Sequence, residues 1–436
     1  MGGSRRKEFS MQRKPSVRIV CLVAVAVLVT LLAACAPSSA QQDEQVTVTM
    51  WFGRQEFVPH DQFERFHAEN PNIRVEWDVI PLEQAHTDFM RNHAAGSAPD
   101  VVQIFHEFTA TMVAQGTLLD ISPYLRAWQQ EDPDDYADIF DIAFTLTSYE
   151  GGTYGINVHS APYFLGYRKD WIEQAGMQPP RTWTDVLEIS RAMQRNVLSG
   201  DQYAFAQPGG AHHPPFWMNS IYMSMGGQFT DTGLPLIDSP AGIALIEFYQ
   251  TLAREGLQNP ESPSWASGDM RGAFLGGRAG FFPEAINIFA VTQRELEYGV
   301  QWDAMIQPYR EGAQADFQPN TFGWPFMVNS DTEHPEAVMA ALRYVFHPEI
   351  VKDVALVYQP ANRASVLGSP EYLAAHPYFP NLEQAFIEQT PYPTHLRSPE
   401  RSNILNEMKQ IAQTQVNRPA AEIARETQAR LNALDN

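Results

Sequence analysis

The sequence predicts an α/β fold of two domains or lobes, built on mainly parallel β-sheet covered by helices. Short runs of alternating β-branched and apolar residues, which predict strands, alternate with segments of helical period. This alternation is typical of mainly parallel sheets with helices on both faces. The chain has 436 residues. This is longer than a chain that folds around a single hydrophobic core usually is, so two domains or lobes are expected. Its 44% hydrophobic and 11% aromatic content indicates a globular protein rather than a disordered one.

The first predicted elements alternate regularly. A strand over Val46–Phe52 ends at Gly53, and a helix with Phe63 and Phe66 on one face ends at Asn70-Pro71. The pattern continues with a strand over 73–77, a helix over 84–95 closed by Gly96, and a strand over 100–104. The last of these is apolar on both faces, which indicates a buried position in a sheet.

The second half is predicted to be richer in helix. Strand pattern returns over 154–158, and a helix over 184–195 can be capped by Thr182 or Thr184. Ser239-Pro240 opens another helix that Gly256 stops. Further helices are predicted over 335–346, 382–389 and, as one long helix, 402–434.

The N-terminus has the pattern of a lipoprotein signal peptide. Basic residues precede a 15-residue apolar run from Ile19 to Ala33, and Leu32-Ala33-Ala34-Cys35 closes it. The run is shorter than the roughly 20 residues that a bilayer-spanning helix needs, although an uncleaved anchor is an alternative. We expect cleavage after residue 34, lipidation of Cys35, a flexible tether over 35–45 and a location outside the cytoplasm. The start codon, Met1 or Met11, and the export route stay open.

Charge and cysteine content exclude several classes of protein. The net charge is -21, and removing the leader, whose net charge is +5, leaves about -26. A surface this acidic repels phosphate backbones, so we expect no nucleic-acid partner. The two cysteines, Cys21 and Cys35, fall in the leader and at its end. The mature chain is therefore expected to have no disulfide.

Motifs of catalysis and of metal binding are missing from the sequence. No nucleophile elbow, Walker loop, Gly-x-Gly-x-x-Gly turn after a strand or His-Glu-x-x-His helix occurs. His212-His213 stands without a second cluster of metal ligands. We expect no enzyme activity, no metal and no cofactor, which favours a binding protein.

Several segments in order resemble the extracellular solute-binding proteins of sugar-importing ABC transporters, the family that includes maltose-binding protein. The resemblance extends from Val46 to about Ala424, nearly the whole mature chain. The segments that carry it are 94–102 before the third strand, 116–121 ("G-x-L-x-D-L"), 152–156 with 167–171 at the first crossing, 175–186 ("P-x-T-W-x-E-L"), 274–280, 322–324 ("G-G-W") and 334–337. Phe322 stands where the family's first glycine of "G-G-W" would be, and the particular sugar stays open.

The resemblance implies a two-lobed periplasmic-binding-protein-like fold of type II. Each lobe would be a mainly parallel sheet flanked by helices, with lobe 1 over 46–156 and 326–370 and lobe 2 over 157–325 and 371–436. It also implies a hinge between the lobes, a sugar (an oligosaccharide) bound in the cleft, and permease subunits of an ABC importer as partners. We expect a monomer.

Candidate ligand-binding residues follow from loop positions matched to the family pattern. Sugars present apolar C–H faces and hydroxyls, so aromatic platforms and fixed polar groups are expected. The candidates are Gln55 and Glu56 after the first strand, His106 and Glu107 after the third, Trp217 in a Pro-Pro-Phe-Trp loop, Glu284 after the "G-R-A-G" strand, Trp324, and Arg363 near the second crossing.

Three alternatives remain beside the sugar importer. The same fold could bind a polyol phosphate or other anion, for which Arg54, Arg271, Arg278, Arg363 and Arg397 are candidate cations. A secreted carbohydrate hydrolase would need a close carboxylate pair, such as Glu56 with Glu107 or Glu284. A sensor that presents its ligand to a receptor is not distinguished from a transport protein by the sequence.

Overall fold

The computed structural model describes residues 1–2, 45–59, 62–209, 216–230, 233–313, 318–392 and 399–434. The predicted signal peptide and Cys35 lie outside the described residues. Residues 46–436 form one compact unit. Among the described residues, no helix combines the length and apolar character required to cross a membrane.

The strands of the described residues form two larger sheets and a short hairpin. The first sheet has the order β2-β1-β3-β12-β6, with β1 Val46–Phe52, β2 Ile73–Val79, β3 Val101–Gln103, β6 Gly155–Ile156 and β12 Phe326–Val328. The second has the order β13-β11-β7-β9-β8, with β7 Ala161–Tyr167, β8 Tyr203–Phe205, β9 Ala279–Ala285, β11 Asn320–Phe322 and β13 Thr390–Pro391, and β10 Asp303–Met305 also pairs with β7. The hairpin joins β4 Ser148–Tyr149 to β5 Gly152–Thr153.

Helices pack around both sheets. They run over Gln62–Glu69, Leu82–Ala94, Thr109–Ala114, Ser122–Glu131, Pro133–Ala137, Ile142–Thr145, Lys169–Gln174, Trp183–Asn196, Phe216–Ser224, Pro240–Arg254, Ser267–Leu275, Ile286–Glu295, Pro335–Val345, Pro348–Val357, Ala364–Leu367, Pro370–Ala375, Glu383–Ile387, Pro399–Thr414 and Ala420–Asn432. The predicted cap at Thr182 is confirmed: its side chain accepts from the Asp185 backbone N–H while Asp185 accepts from the Thr182 N–H.

The α/β class is confirmed, but the sheets are mixed rather than mainly parallel. In the first sheet, β1 pairs in parallel with β2 and β3, whereas β12 runs antiparallel to both β3 and β6. In the second sheet, β7 is antiparallel to β9, β10 and β11. The antiparallel pairings of the first sheet arise because β6 and β12 connect directly to strands of the second sheet. These connections lack the crossover helix that produces parallel pairing.

The prediction of one long C-terminal helix over 402–434 is wrong. Two helices, Pro399–Thr414 and Ala420–Asn432, replace it. Pro419 has no N–H to donate and disfavours helical backbone at the residue before it, so it begins a new helix instead of continuing the old one.

Short chain segments connect the two sheets side by side. Residues 157–160 link β6 to β7, and residues 323–325 link β11 to β12. A third segment, which contains Asn362, lies against residues 157–160. The Asn362 N–H donates to the Val158 carbonyl at 2.9 Å. Gly323 is required there, since a Cβ would lie 2.4 Å from Oδ1 of Asn157.

Candidate functional site

An aromatic cluster lies where loops of the two sheets meet, and it is the candidate site. Seven side chains form it, each at most 8% exposed: Phe57, Tyr163, Phe216, Trp217, Phe322, Trp324 and Tyr392. Phe57 follows β1 of the first sheet, whereas Tyr163 and Phe322 belong to β7 and β11 of the second. The cluster therefore receives side chains from both sheets.

Ring contacts run through the cluster from one sheet to the other. The ring of Trp324 lies 5.7 Å from that of Phe57 and 5.5 Å from that of Phe322. Tyr163 lies 5.7 Å from Phe322 and 5.8 Å from Trp217. Edge-to-face and tilted geometries at these separations are those that aromatic pairs prefer. Further contacts join Phe216 to Phe322 at 5.3 Å and to Tyr392 at 4.8 Å.

Gln103, at the end of β3, positions the loop that carries Trp324. Its side chain is 1% exposed, accepts from the Gly53 N–H at 2.9 Å and donates to the Trp324 carbonyl at 3.1 Å. The backbone N–H of His106 also donates to the Gly323 carbonyl at 3.2 Å. The loops after β1 and β3 are thereby fixed to the connection between β11 and β12.

His106 and Glu107 form a buried pair in the turn His106–Phe108 beside this loop. Nδ1 of His106 lies 3.2 Å from Oε2 of Glu107, and it accepts from the Gly323 N–H at 3.4 Å. Nε2 of the same ring lies 3.0 Å from the Tyr392 carbonyl. His106 thus bonds a loop of the first sheet to the segment that follows β13 of the second.

Glu284 is fully buried within β9, not after it as predicted, and it is paired. Its Oε2 accepts from Nε of Arg271 at 2.8 Å, and its Oε1 from the Ala285 N–H at 2.8 Å. Burial, and then the nearby charge of Glu284, raise the pKa of Tyr163 well above its usual value. The Tyr163 hydroxyl is therefore neutral at physiological pH, able to donate and to accept.

The other predicted residues divide between the site and elsewhere. Trp217 lies in the helix Phe216–Ser224 rather than in a loop. Gln55 and Glu56 are exposed and lie in the turn that leads to Phe57. Arg363 is not brought to the cluster: its guanidinium bonds Asp135 at 2.6 Å, with Asp138 at 3.4 Å and the Phe346 carbonyl at 2.8 Å as further acceptors.

The structure adds residues that were not predicted as sugar ligands. The guanidinium carbon of Arg54 lies 4.8 Å from the ring centroid of Trp324. Asn219 donates to the hydroxyl of Tyr392. Tyr163 and Tyr392 carry no local sequence signal, because Tyr163 lies in a strand that is buried on both faces and Tyr392 is brought in by long-range pairing of β13.

Several buried polar atoms at the site have no hydrogen-bond partner among the described residues. They include Nε1 of Trp324, Nε of Arg54 and Oδ1 of Asn219. Buried polar groups are rarely left without a partner, so such atoms beside aromatic rings indicate a place for a ligand. No group of three His, Cys, Asp or Glu side chains in the described part of the chain is arranged to hold a metal ion.

Two surface cavities lie away from the cluster. One, of about 710 Å³, is lined by Trp51, Arg74, Trp77 and neighbouring residues of β1 and β2. The other, of about 480 Å³, lies between the helix Pro240–Arg254 and residues 416–420. The first cavity is lined from one sheet, and the second from one helix and the segment 416–420. The cluster instead lies where strand-end loops of both sheets meet, and α/β proteins commonly bind ligands at such places.

Known proteins share this architecture and part of the sequence. A binding protein of Brucella abortus (strain 2308) is 24% identical over 241 residues, which is 54% of this chain and 56% of that protein. The chain thus spans little more than half the length of the first curated relatives that it matches.

Solved structures match over a larger part of the chain. The sugar-binding protein MalE of Xanthomonas citri superposes with a TM-score of 0.75 at 20% identity, covering 89% of this chain and 98% of that one. UgpB of Mycobacterium tuberculosis, solved with glycerophosphocholine, superposes with a TM-score of 0.71 at 18% identity, covering 89% and 98%. At these identities the similarity shows the fold alone. Residues 55–352 match the model of the bacterial extracellular solute-binding protein family, and the chain belongs to that family.

Proposed function

We propose that the protein captures a sugar, in particular an oligosaccharide, between its two sheets and delivers it to the permease subunits of an ABC importer. The family binds solutes and is not catalytic, so binding is reversible and the ligand leaves unchanged. The observation that carries the sugar proposal is Trp324: its ring lies in an aromatic cluster while its buried Nε1 has no partner among the described residues. A sugar satisfies both, through its C–H face and its hydroxyl oxygens.

The distribution of the strands supports the lobe boundaries proposed with this function. The strands of the first sheet lie within 46–156 and 326–370, together with the separate β4–β5 hairpin, and the strands of the second sheet lie within 157–325 and 371–436. Rotation about the connecting segments would open the cluster to solvent and admit the ligand. The closed, loaded form would be the one that docks on the permease.

A screen of thermal stability tests the sugar proposal. Purified protein is heated with mono-, di- and oligosaccharides, polyols and amino acids, and hits are measured by calorimetry. A ligand that binds the folded state alone stabilises it by about 2.7 kcal/mol at 100 times its Kd. We expect a shift with one class of sugar and full recovery of that sugar afterwards. Stabilisation by amino acids alone would contradict the proposal, and consumption of the sugar would indicate a hydrolase.

Attachment to the membrane through Cys35 is part of the proposal. The signal pattern that ends at Cys35 supports it, and the location is extracytoplasmic, as the family's name implies. We expect wild-type protein in the membrane fraction with incorporated labelled fatty acid, and Cys35→Ala without the label. The matched control is Cys21→Ala, which removes the other cysteine and is expected to leave labelling unchanged.

A further inference from the structure

Arg54 is a half-buried cation of the candidate site that forms no ion pair with any described residue. Its guanidinium lies over the ring of Trp324, and its buried Nε has no hydrogen-bond acceptor in the described part of the chain. By contrast, two other arginines with buried groups, Arg271 and Arg363, are paired with the carboxylates of Glu284 and Asp135. In a chain of net charge -21, a cation kept free of carboxylates indicates a site for an anion.

The neighbouring polar group is also a donor without an acceptor. Nε1 of Trp324 is buried and has no partner among the described residues. Indole and guanidinium nitrogens donate and never accept. A hydroxyl group brings one donor together with its acceptor sites, whereas a carboxylate or a phosphate dianion brings acceptors alone. Two adjacent donors, one of them charged, therefore match an oxyanion better than a neutral hydroxyl.

Two carboxylates of the site, Glu284 and Glu107, lie against other side chains. Glu284 accepts from Arg271, and Oε2 of Glu107 lies beside Nδ1 of His106. On the side of the second sheet, Oδ1 of Asn219 is a buried acceptor that has no partner among the residues the structure describes, which suits a ligand hydroxyl.

We propose that Arg54 and Trp324 form an oxyanion subsite, so that the preferred ligand is a sugar or polyol carrying a carboxylate or phosphate group. The ring of Trp324 lies beneath the guanidinium and restricts its movement, and a planar guanidinium can form two parallel bonds to one oxyanion. This inference rests on the proposed function and narrows its ligand class.

Matched pairs of ligands test the inference on the purified wild-type protein. Galactobiose is compared with digalacturonate, glucose with glucose 6-phosphate, and glycerol with glycerol 3-phosphate, by calorimetry at low and at high salt. We expect one charged member to bind at least about tenfold more tightly than its neutral partner, with a preference that weakens as salt rises. The carboxylate and phosphate pairs identify which oxyanion is taken.

Variants assign the preference to Arg54. Arg54→Gln is expected to abolish the preference for the charged member over the neutral one, whereas Arg54→Lys retains part of the preference because it keeps the charge. Arg343→Gln is the matched control, because Arg343 also stacks on a tryptophan, Trp128, but is paired with Glu131.

The outcomes separate the inference from the proposed function. Equal binding of charged and neutral members by wild-type protein would overturn the oxyanion subsite and leave sugar capture standing. A preference for the charged member that survives in Arg54→Gln would also overturn it. Failure of every sugar and polyol, charged or neutral, would overturn both. The wild-type comparison needs no variant to fold.

Discussion

The side-chain amide of Gln103 donates to the Trp324 carbonyl at 3.1 Å and accepts from the Gly53 N–H at 2.9 Å. One buried side chain thereby fixes two loops. One contains Gly53 and Arg54 after β1, and the other carries Trp324. Both bonds are local to the first sheet, yet they set the position of the ring that contacts residues of the second.

Gln103→Leu is expected to weaken ligand binding and to lower the free energy of unfolding by about 2–6 kcal/mol. The substitution leaves the Gly53 N–H and the Trp324 carbonyl buried without their partner, and each such loss costs roughly 1–3 kcal/mol. Urea unfolding and calorimetry measure the two effects. Gln194→Leu is the control, because Gln194 bonds the backbone at an exposed position. Unchanged affinity in folded Gln103→Leu would show that Gln103 does not position the site.

Trp324→Ala is expected to cost about 1–3 kcal/mol of binding free energy, because it removes the aromatic platform. Trp324→Phe keeps an aromatic face and removes the Nε1 donor, so we expect a smaller loss of about 1 kcal/mol. Trp77→Phe, a change of a partly exposed tryptophan at the edge strand β2, is the control in the same calorimetric titration. Wild-type affinity in both folded Trp324 variants would remove this residue from the site.

Arg271→Met is expected to lower the free energy of unfolding by about 3–5 kcal/mol, because it leaves Glu284 as an uncompensated buried charge. The double variant Arg271→Met with Glu284→Leu removes both charges and is expected to recover part of that loss. Denaturant unfolding of the singles and the double provides the comparison. A single variant as stable as the wild type would show that the buried carboxylate does not depend on this ion pair.

Stability is expected to fall as the pH drops from about 6.5 to about 4, in part because of His159. Burial lowers the pKa of His159 from 6.5 to about 4, so the unfolded chain binds a proton in this window and the folded chain does not. The free energy of unfolding therefore decreases with falling pH, by up to about 3 kcal/mol from this group. His159→Gln should flatten the profile and the exposed His334→Gln should not. An unchanged slope in His159→Gln would contradict the assignment.

Sequence patterns predicted most helices and strands, because the signals for these elements lie within the elements themselves or directly beside them. The alternation in Val46–Phe52 and the cap at Thr182 act within a few residues, and the structure has both. The direction of β12 against β3 could not be predicted in this way, because it depends on which segment returns from the other sheet. Pro419 is a local signal for the end of a helix. The helical periodicity on both sides of it nevertheless led to the prediction of one continuous helix.

The candidate site was predicted in part. His106, Glu107 and Trp324 are brought together because the loops after β3 and β11 bond each other through Gly323. Arg363 was assigned from its place after Pro360, and the structure instead directs its guanidinium to Asp135 and Asp138. Burial of a charged side chain and its choice of partner follow from tertiary packing, which a single chain position does not reveal.

Trp324 also lies in a segment of three residues that connects the two sheets. Phe322 is paired into one sheet and Phe326 into the other, so three residues separate positions that belong to different sheets. Any torsion between the sheets must be absorbed in the φ and ψ angles of this tripeptide. Rotation of one sheet against the other would therefore change the surroundings of this indole, and we expect the tryptophan fluorescence of the protein to change with such a rotation and with ligand binding.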